Sequence, residues 1–164
     1  MNMNDAIKFL NKHITNPSKG LPEEVFLFVS RLTPLVNVDL LIKDENGRVL
    51  LSWREDKFVG AGWHLPGGIV RFKEKMEQRL MKVAEKEIGT GVEFNPVPIA
   101  MNELICNHNT TRGHYISILY DCFLSSKFIP KNTGLNKIDN GYLMWHDVCP
   151  ANLINVHEIY RKYI

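Results

Sequence analysis

Between Pro66 and Gly91 the chain carries Gly67-Gly68, followed by the carboxylates Glu74, Glu77, Glu85 and Glu87. Met76, Leu80, Val83, Ala84 and Ile88 recur through the same stretch at helical spacing, which predicts a helix over about 74–88 closed by Gly89. A glycine turn lets backbone carbonyls approach a ligand, and helix carboxylates add hard oxygen donors. Together they suit a hard divalent cation shared with an oxygen-rich ligand, where a metal can activate water. The placement of the acids limits that chemistry. Positions 83, 86 and 87 share one helix face, yet Val83 and Lys86 leave Glu87 as its single carboxylate. Glu85 does not substitute, because it lies about 200° from Glu87 around the helix. Glu74 and Glu77 also suit a helix N-terminus, where the dipole favours negative charge.

Other elements must position this loop and helix. Residues 4–13 and 22–32 read as helices, separated by the breaker run Asn16-Pro17-Ser18-Lys19-Gly20. Val36 to Lys43 and Arg48 to Trp53 read as strands joined by a turn at Glu45-Asn46-Gly47. Asp39 lies inside the first of these strands, where an acid among apolar residues needs a partner. Trp63 to Gly68 reads as a short strand entering the glycine turn. Further strands are expected at 92–105, 114–124 and 141–146, with a last helix at about 149–162. This order predicts one α/β domain over residues 1–164, a mixed sheet between helices, with an N-terminal helical extension over about 1–32.

Composition narrows the function classes. The 164 residues are 45% hydrophobic and 23% charged, ordinary for a globular chain of one-domain size. A formal net charge of +2 gives no argument for nucleic acid or an anionic membrane as partner. No apolar run approaches the roughly 18–20 residues that cross a bilayer, and the first ten residues lack a signal-peptide pattern. Cys106, Cys122 and Cys149 are widely spaced and form no CxxC pair, so reduced thiols in a cytoplasmic protein are expected.

The stretch from Pro66 to Gly91 resembles the Nudix box, whose pattern is Gly, five residues, Glu, seven residues, Arg-Glu-apolar-any-Glu-Glu-any-Gly. Gly68, Glu74, Glu87 and Gly89 fall in register, Lys82 stands at the Arg position and Ala84 at the apolar one. A box without its two earlier acids resembles the GDP-mannose mannosyl hydrolase branch, which attacks the sugar carbon rather than phosphorus. Thr33-Pro34-Leu35-Val36 with Asp39, Leu50 to Arg54, His114-Tyr115 and Asn155-Val156-His157 match that branch in order. The resemblance implies a Nudix fold and hydrolysis of a nucleotide-sugar, GDP-mannose or a related GDP-hexose, to GDP and free sugar. It implies Mg²⁺ at Gly67 and Glu87, with Asp139 a candidate third ligand, and Arg54 and Tyr115 at the leaving diphosphate. Asp39 would line the site, Lys82 would contact phosphate, and Arg71 would stand in for an arginine that Ile69 replaces. A homodimer is also implied.

One position departs in a way that matters chemically. Aligned on Trp145, the branch's general-base histidine becomes Asn140, which cannot accept a proton near neutral pH. Asp139 is then the nearest candidate base. Two alternatives stay open: pyrophosphatase action giving a nucleoside monophosphate and a sugar phosphate, and a nucleotide-sugar binding module with little turnover.

Overall fold

The structure, a computed structural model, describes residues 2–164. Two helices come first, α1 (Met3–His13) and α2 (Glu23–Val29), with a 3₁₀ turn at Pro17–Lys19 between them. Asn2 caps α1 by accepting from the Asp5 N–H, and Asp5 returns a bond to the Asn2 N–H. None of the 11 residues of α1 is buried.

The sheet is built from β1 (Leu35–Lys43), β2 (Val49–Asp56), β3 (Gly60–His64), β4 (Gly67–Ile69), β5 (Glu93–Phe94), β6 (Ala100–Ile105), β7 (His114–Phe123) and β8 (Leu143–His146). Its central order is β3-β2-β1-β7-β5, with β8 on β2, β4 on β1 and β6 on β7. The β1–β7 pairing is parallel from Leu35↔Tyr115 to Lys43↔Phe123, and the other pairings are antiparallel. This is the mixed sheet with flanking helices that the element order predicts.

β1 is buried on both faces, as a strand at the centre of a covered sheet should be. Val38, Leu40 and Ile42 pack with Leu80, Val83, Ala84 and Ile88 of the following helix. Leu41, on the opposite face, packs with Val49, Leu51, Trp63, Leu119 and Tyr160. Asp39 alternates with the first set and so points to the second face, toward the C-terminal segment.

Four expected elements differ. The glycine turn expected after Trp63 is itself a strand, β4, because Gly67 to Ile69 pair with Asn37 to Asp39 of β1. The helix α3 (Met76–Val83) starts two residues late and continues as a π turn, Ala84–Ile88, closed by Gly89 N–H to Ala84 C=O at 3.1 Å. Its carboxylate Glu74 is spent at the entrance. Buried to 3% side-chain exposure, it accepts from Arg79 at 2.6 Å and Lys82 at 2.8 Å, and from the Arg71 N–H at 3.0 Å. The span expected as one strand at 92–105 splits into β5 and β6, because Pro96 and Pro98 cannot donate to a ladder. The last helix starts at Asn155 rather than about 149, and is 3₁₀ (Asn155–Tyr163). Residues 152–154 instead run extended beside β3, with Trp63 N–H to Asn152 C=O and Ile154 N–H to Trp63 C=O.

The Glu74 cluster gives a stability prediction. Burial opposes ionisation of Glu74, but Lys82, the Arg71 N–H and Arg79 outweigh it and hold the carboxyl down to about 2. Glu74→Ala strands the Arg79 guanidinium, itself 10% exposed, and should cost about 3 kcal/mol in urea unfolding at pH 7. A carboxyl depressed from 4.5 to about 2 contributes its stability above pH 4.5 and loses it on acidification toward 2. The gap between wild type and variant should therefore narrow over that window. A constant gap would assign the loss to packing rather than charge.

Candidate active site

β1, β2, β3, β4, the end of the π turn, the β6–β7 loop and the C-terminal 3₁₀ segment enclose a cleft of about 620 Å³. Its floor is the pairing of Asp39 with Gly67 across β1 and β4. The Asp39 carboxylate lies directly over Gly67, where any Cβ would collide with it and with the Val38 carbonyl. Gly68 is equally constrained, since a Cβ there would meet Val83 at 2.8 Å and Arg79 at 3.3 Å. Both glycines are required by close approach rather than by backbone twist.

Asp39 is 1% exposed. It accepts from Ser117 Oγ, from Tyr160 O–H at 2.8 Å and from Asn37 Nδ2 at 2.9 Å. Burial raises its pKa to about 6 against those three donors and the field of Arg54. His157 lies alongside, with Nδ1 accepting from the Leu65 N–H at 3.1 Å. Its Nε2 faces Asp39 at 3.9 Å. Burial and then Arg54 hold His157 down to about 3, so its ring is neutral at pH 7.

Glu87 reaches the cleft because of the π turn. In an uninterrupted α-helix it would follow Leu80, Val83 and Ala84 onto the core face. The wider turn places Ile88 in that core and frees Glu87 for the cleft. Desolvation raises Glu87 to about 7, opposed by the charges of Arg54 and Lys86. His64 stands 4.0 Å from it, is held neutral by burial at a pKa of about 3, and has an Nδ1 without a hydrogen-bond partner. Arg54 lines the cleft from β2, with Nε donating to Asp56 at 2.6 Å. Tyr115 lines it from β7, its hydroxyl accepting from Arg112 Nε at 3.2 Å.

The structure thus brings together Asp39, Arg54, Gly67, Glu87 and Tyr115 from the expected set. Three others stand apart. Asp139 caps its own turn, accepting from the Asn136 N–H at 2.7 Å and Asn136 Nδ2 at 3.1 Å, and does not line the cleft. Lys82 is engaged by Glu74 outside the cleft. The Arg71 guanidinium donates to the Lys19 carbonyl in the N-terminal segment, outside the cleft, while its backbone N–H donates to Glu74. Asn140 does line the cleft, but its amide pairs in both directions with the Glu55 backbone and extends the β2–β8 ladder.

Sequence reasoning missed His64, Ser117, Tyr160 and Arg112. Ser117 was legible from alternation with Tyr115 on β7. The loop carrying Arg112 has no periodicity to place it.

A divalent cation fits one part of this cleft. Glu87 is a partly exposed carboxylate with cations nearby and no direct ion pair to Arg or Lys among the described residues, and Gly67 of β4 lines the same cleft. Among the described residues no three His, Cys, Asp or Glu side chains converge as a metal cluster. The donor set suits a single hard ion completed by substrate oxygens.

Residues 33–161 match the NUDIX domain family, and the chain belongs to that family of hydrolases. The low-salt glycan biosynthesis protein Agl8 of Haloferax volcanii is 37% identical over 76 residues, 46% of this chain and 48% of that protein. The matched segment spans about half of that relative's length. A Jonesia denitrificans protein described as a possible asymmetric diadenosine tetraphosphate hydrolase is 26% identical. Its match covers 70% of this chain and 77% of that one with a TM-score of 0.52. A UDP-X diphosphatase structure covers 97% of this chain and 75% of its own, with a TM-score of 0.56 at 17% identity, a likeness of fold alone. Among the described residues no helix is long and apolar enough to cross a membrane.

Proposed function

We propose that this Nudix hydrolase releases a nucleoside diphosphate from a nucleotide-sugar, GDP-mannose or a related GDP-hexose, by attack of water at the anomeric carbon. The observation that carries the reading is the lone Glu87. The helix that ordinarily presents several acids sends Val83 into the core and a single carboxylate into the cleft. One ion at Glu87 and the Gly67 carbonyl would neutralise diphosphate charge as the leaving group departs. Arg54 and the Tyr115 hydroxyl add fixed donors for the same charge. Asp39, ionised at pH 7 and held by three donors, places fixed negative charge beside the oxocarbenium-like sugar. The glycan biosynthesis role in the name of the Haloferax relative supports a sugar substrate. Mg²⁺ as the ion and a homodimer belong to the same reading and rest on the resemblance, and a cytoplasmic setting rests on the widely spaced cysteines.

Incubation with GDP-mannose and Mg²⁺ in ¹⁸O-water should give GDP without label and labelled mannose. Labelled GMP or mannose phosphate would replace this reading with pyrophosphatase chemistry. Binding without products would make the chain a nucleotide-sugar binding module, which the engaged amide of Asn140 would then explain.

A further inference from the structure

We propose that Arg112 is a second phosphate-binding arginine of the cleft, acting with Arg54 on a bound nucleoside diphosphate. The inference rests on the nucleotide-sugar reading above and extends it to a residue outside the family motif.

Three observations converge on Arg112. Its backbone is left-handed, with φ +54°. Side chains other than glycine rarely adopt that conformation, and it persists where the surroundings impose it, often at ligand sites. The surroundings here do impose it. The Arg112 N–H donates to the buried Ser30 Oγ at 3.1 Å, and Nε donates to Tyr115 O–H at 3.2 Å. The guanidinium carbon lies 4.8 Å from the centre of the Phe58 ring. Asn109 Nδ2 ties the same loop to the Phe58 carbonyl at 3.0 Å. A long side chain is thereby ordered before any ligand arrives.

The held group is also chemically available. Arg54 is paired with Asp56, whereas Arg112 has no carboxylate partner among the described residues. Its two terminal nitrogens make no hydrogen bond among them either, although the residue lines the cleft. The lining charges are otherwise unfavourable to an anion. Asp39, Glu55, Asp56 and Glu87 face Arg54 and Lys86, and Arg112 supplies the third cation. A planar fork with unused N–H groups matches phosphate oxygens in pairs, as an ammonium does not. Arg54 enters from β2 and Arg112 from the β6–β7 loop, so a diphosphate between them is held from two elements at once.

Calorimetric titration of GDP in the presence of Mg²⁺ tests this on the wild type, Arg112→Gly and Arg112→Asn. Glycine and asparagine both tolerate positive φ, so each removes the guanidinium without adding backbone strain. GDP affinity should fall about 10- to 100-fold in both, the range for charge-assisted hydrogen bonds. The thermal midpoint should stay level or rise. Unchanged GDP affinity would overturn the role of Arg112 and leave the nucleotide-sugar reading standing. A joint fall of affinity and thermal midpoint would also overturn it, making Arg112 a packing latch on Phe58. A wild type that binds no GDP would overturn both.

Discussion

Glu87→Gln should lower nucleotide-sugar turnover by on the order of 10²–10³-fold and abolish its response to Mg²⁺. The size follows from the geometry. Glu87 is the single carboxylate that the π turn delivers to the cleft, so no neighbouring helix acid can take over its charge. The substitution keeps shape and removes an electron pair donor of full charge. It should also relieve desolvation, since burial already pushes this carboxyl up to about 7. Stability at pH 8, where the wild-type carboxylate is ionised, should therefore hold or improve while activity falls. Turnover with normal Mg²⁺ dependence in a folded Glu87→Gln protein would remove this residue from the reaction.

Asp39→Asn should separate stability from activity in the same direction and more sharply. Folding raises this carboxyl from 3.8 to about 6, so its ionised form at pH 7 is favoured less in the native state than in the unfolded chain. The sign follows from linkage. A raised carboxyl contributes stability below pH 3.8 and loses it as pH rises through about 6, a loss on the order of 2–3 kcal/mol. The neutral amide escapes that penalty, and its oxygen can still accept from Ser117, Tyr160 or Asn37. The expected outcome is an unchanged or higher urea midpoint at pH 7, less gain at pH 4, and turnover reduced about 10²-fold or more. A large drop in midpoint with retained turnover would assign Asp39 to the architecture alone. Either way, measurement at two pH values distinguishes charge from packing.

Several features were legible in the residues because local physics settles them. The apolar spacing from Met76 to Ile88 placed a helix, and Gly89, at φ +80°, ends it in the left-handed conformation glycine favours. Asn46-Gly47 placed the β1–β2 turn, which Asp44 secures by accepting from the Asn46 and Arg48 N–H groups at 2.9 Å. Asp39 was identifiable as special since a lone acid in an apolar strand must find donors, though nothing local could name Ser117 and Tyr160, 78 and 121 residues away.

Tertiary structure decided the rest, and it decided most about the site. Whether Glu87 meets the core or the cleft depends on one extra residue in a helical turn, a register that periodicity at 3.6 cannot reveal. Arg71, Lys82 and Asp139 had suitable chemistry at suitable positions. The structure commits them to the Lys19 carbonyl, Glu74 and Asn136, because a flexible charged side chain takes whichever partner lies within reach. Asn140 reads as a lost base, yet its amide serves the sheet by completing the Glu55 backbone pairing. Arg112 carried no signal at all in the chain, and its meaning comes from Ser30, Phe58 and Tyr115, which only the fold brings around it. Sequence determined the elements and the class of chemistry, since propensity and periodicity act between near neighbours. Which charges face the cleft was left to the fold, since that depends on long-range packing.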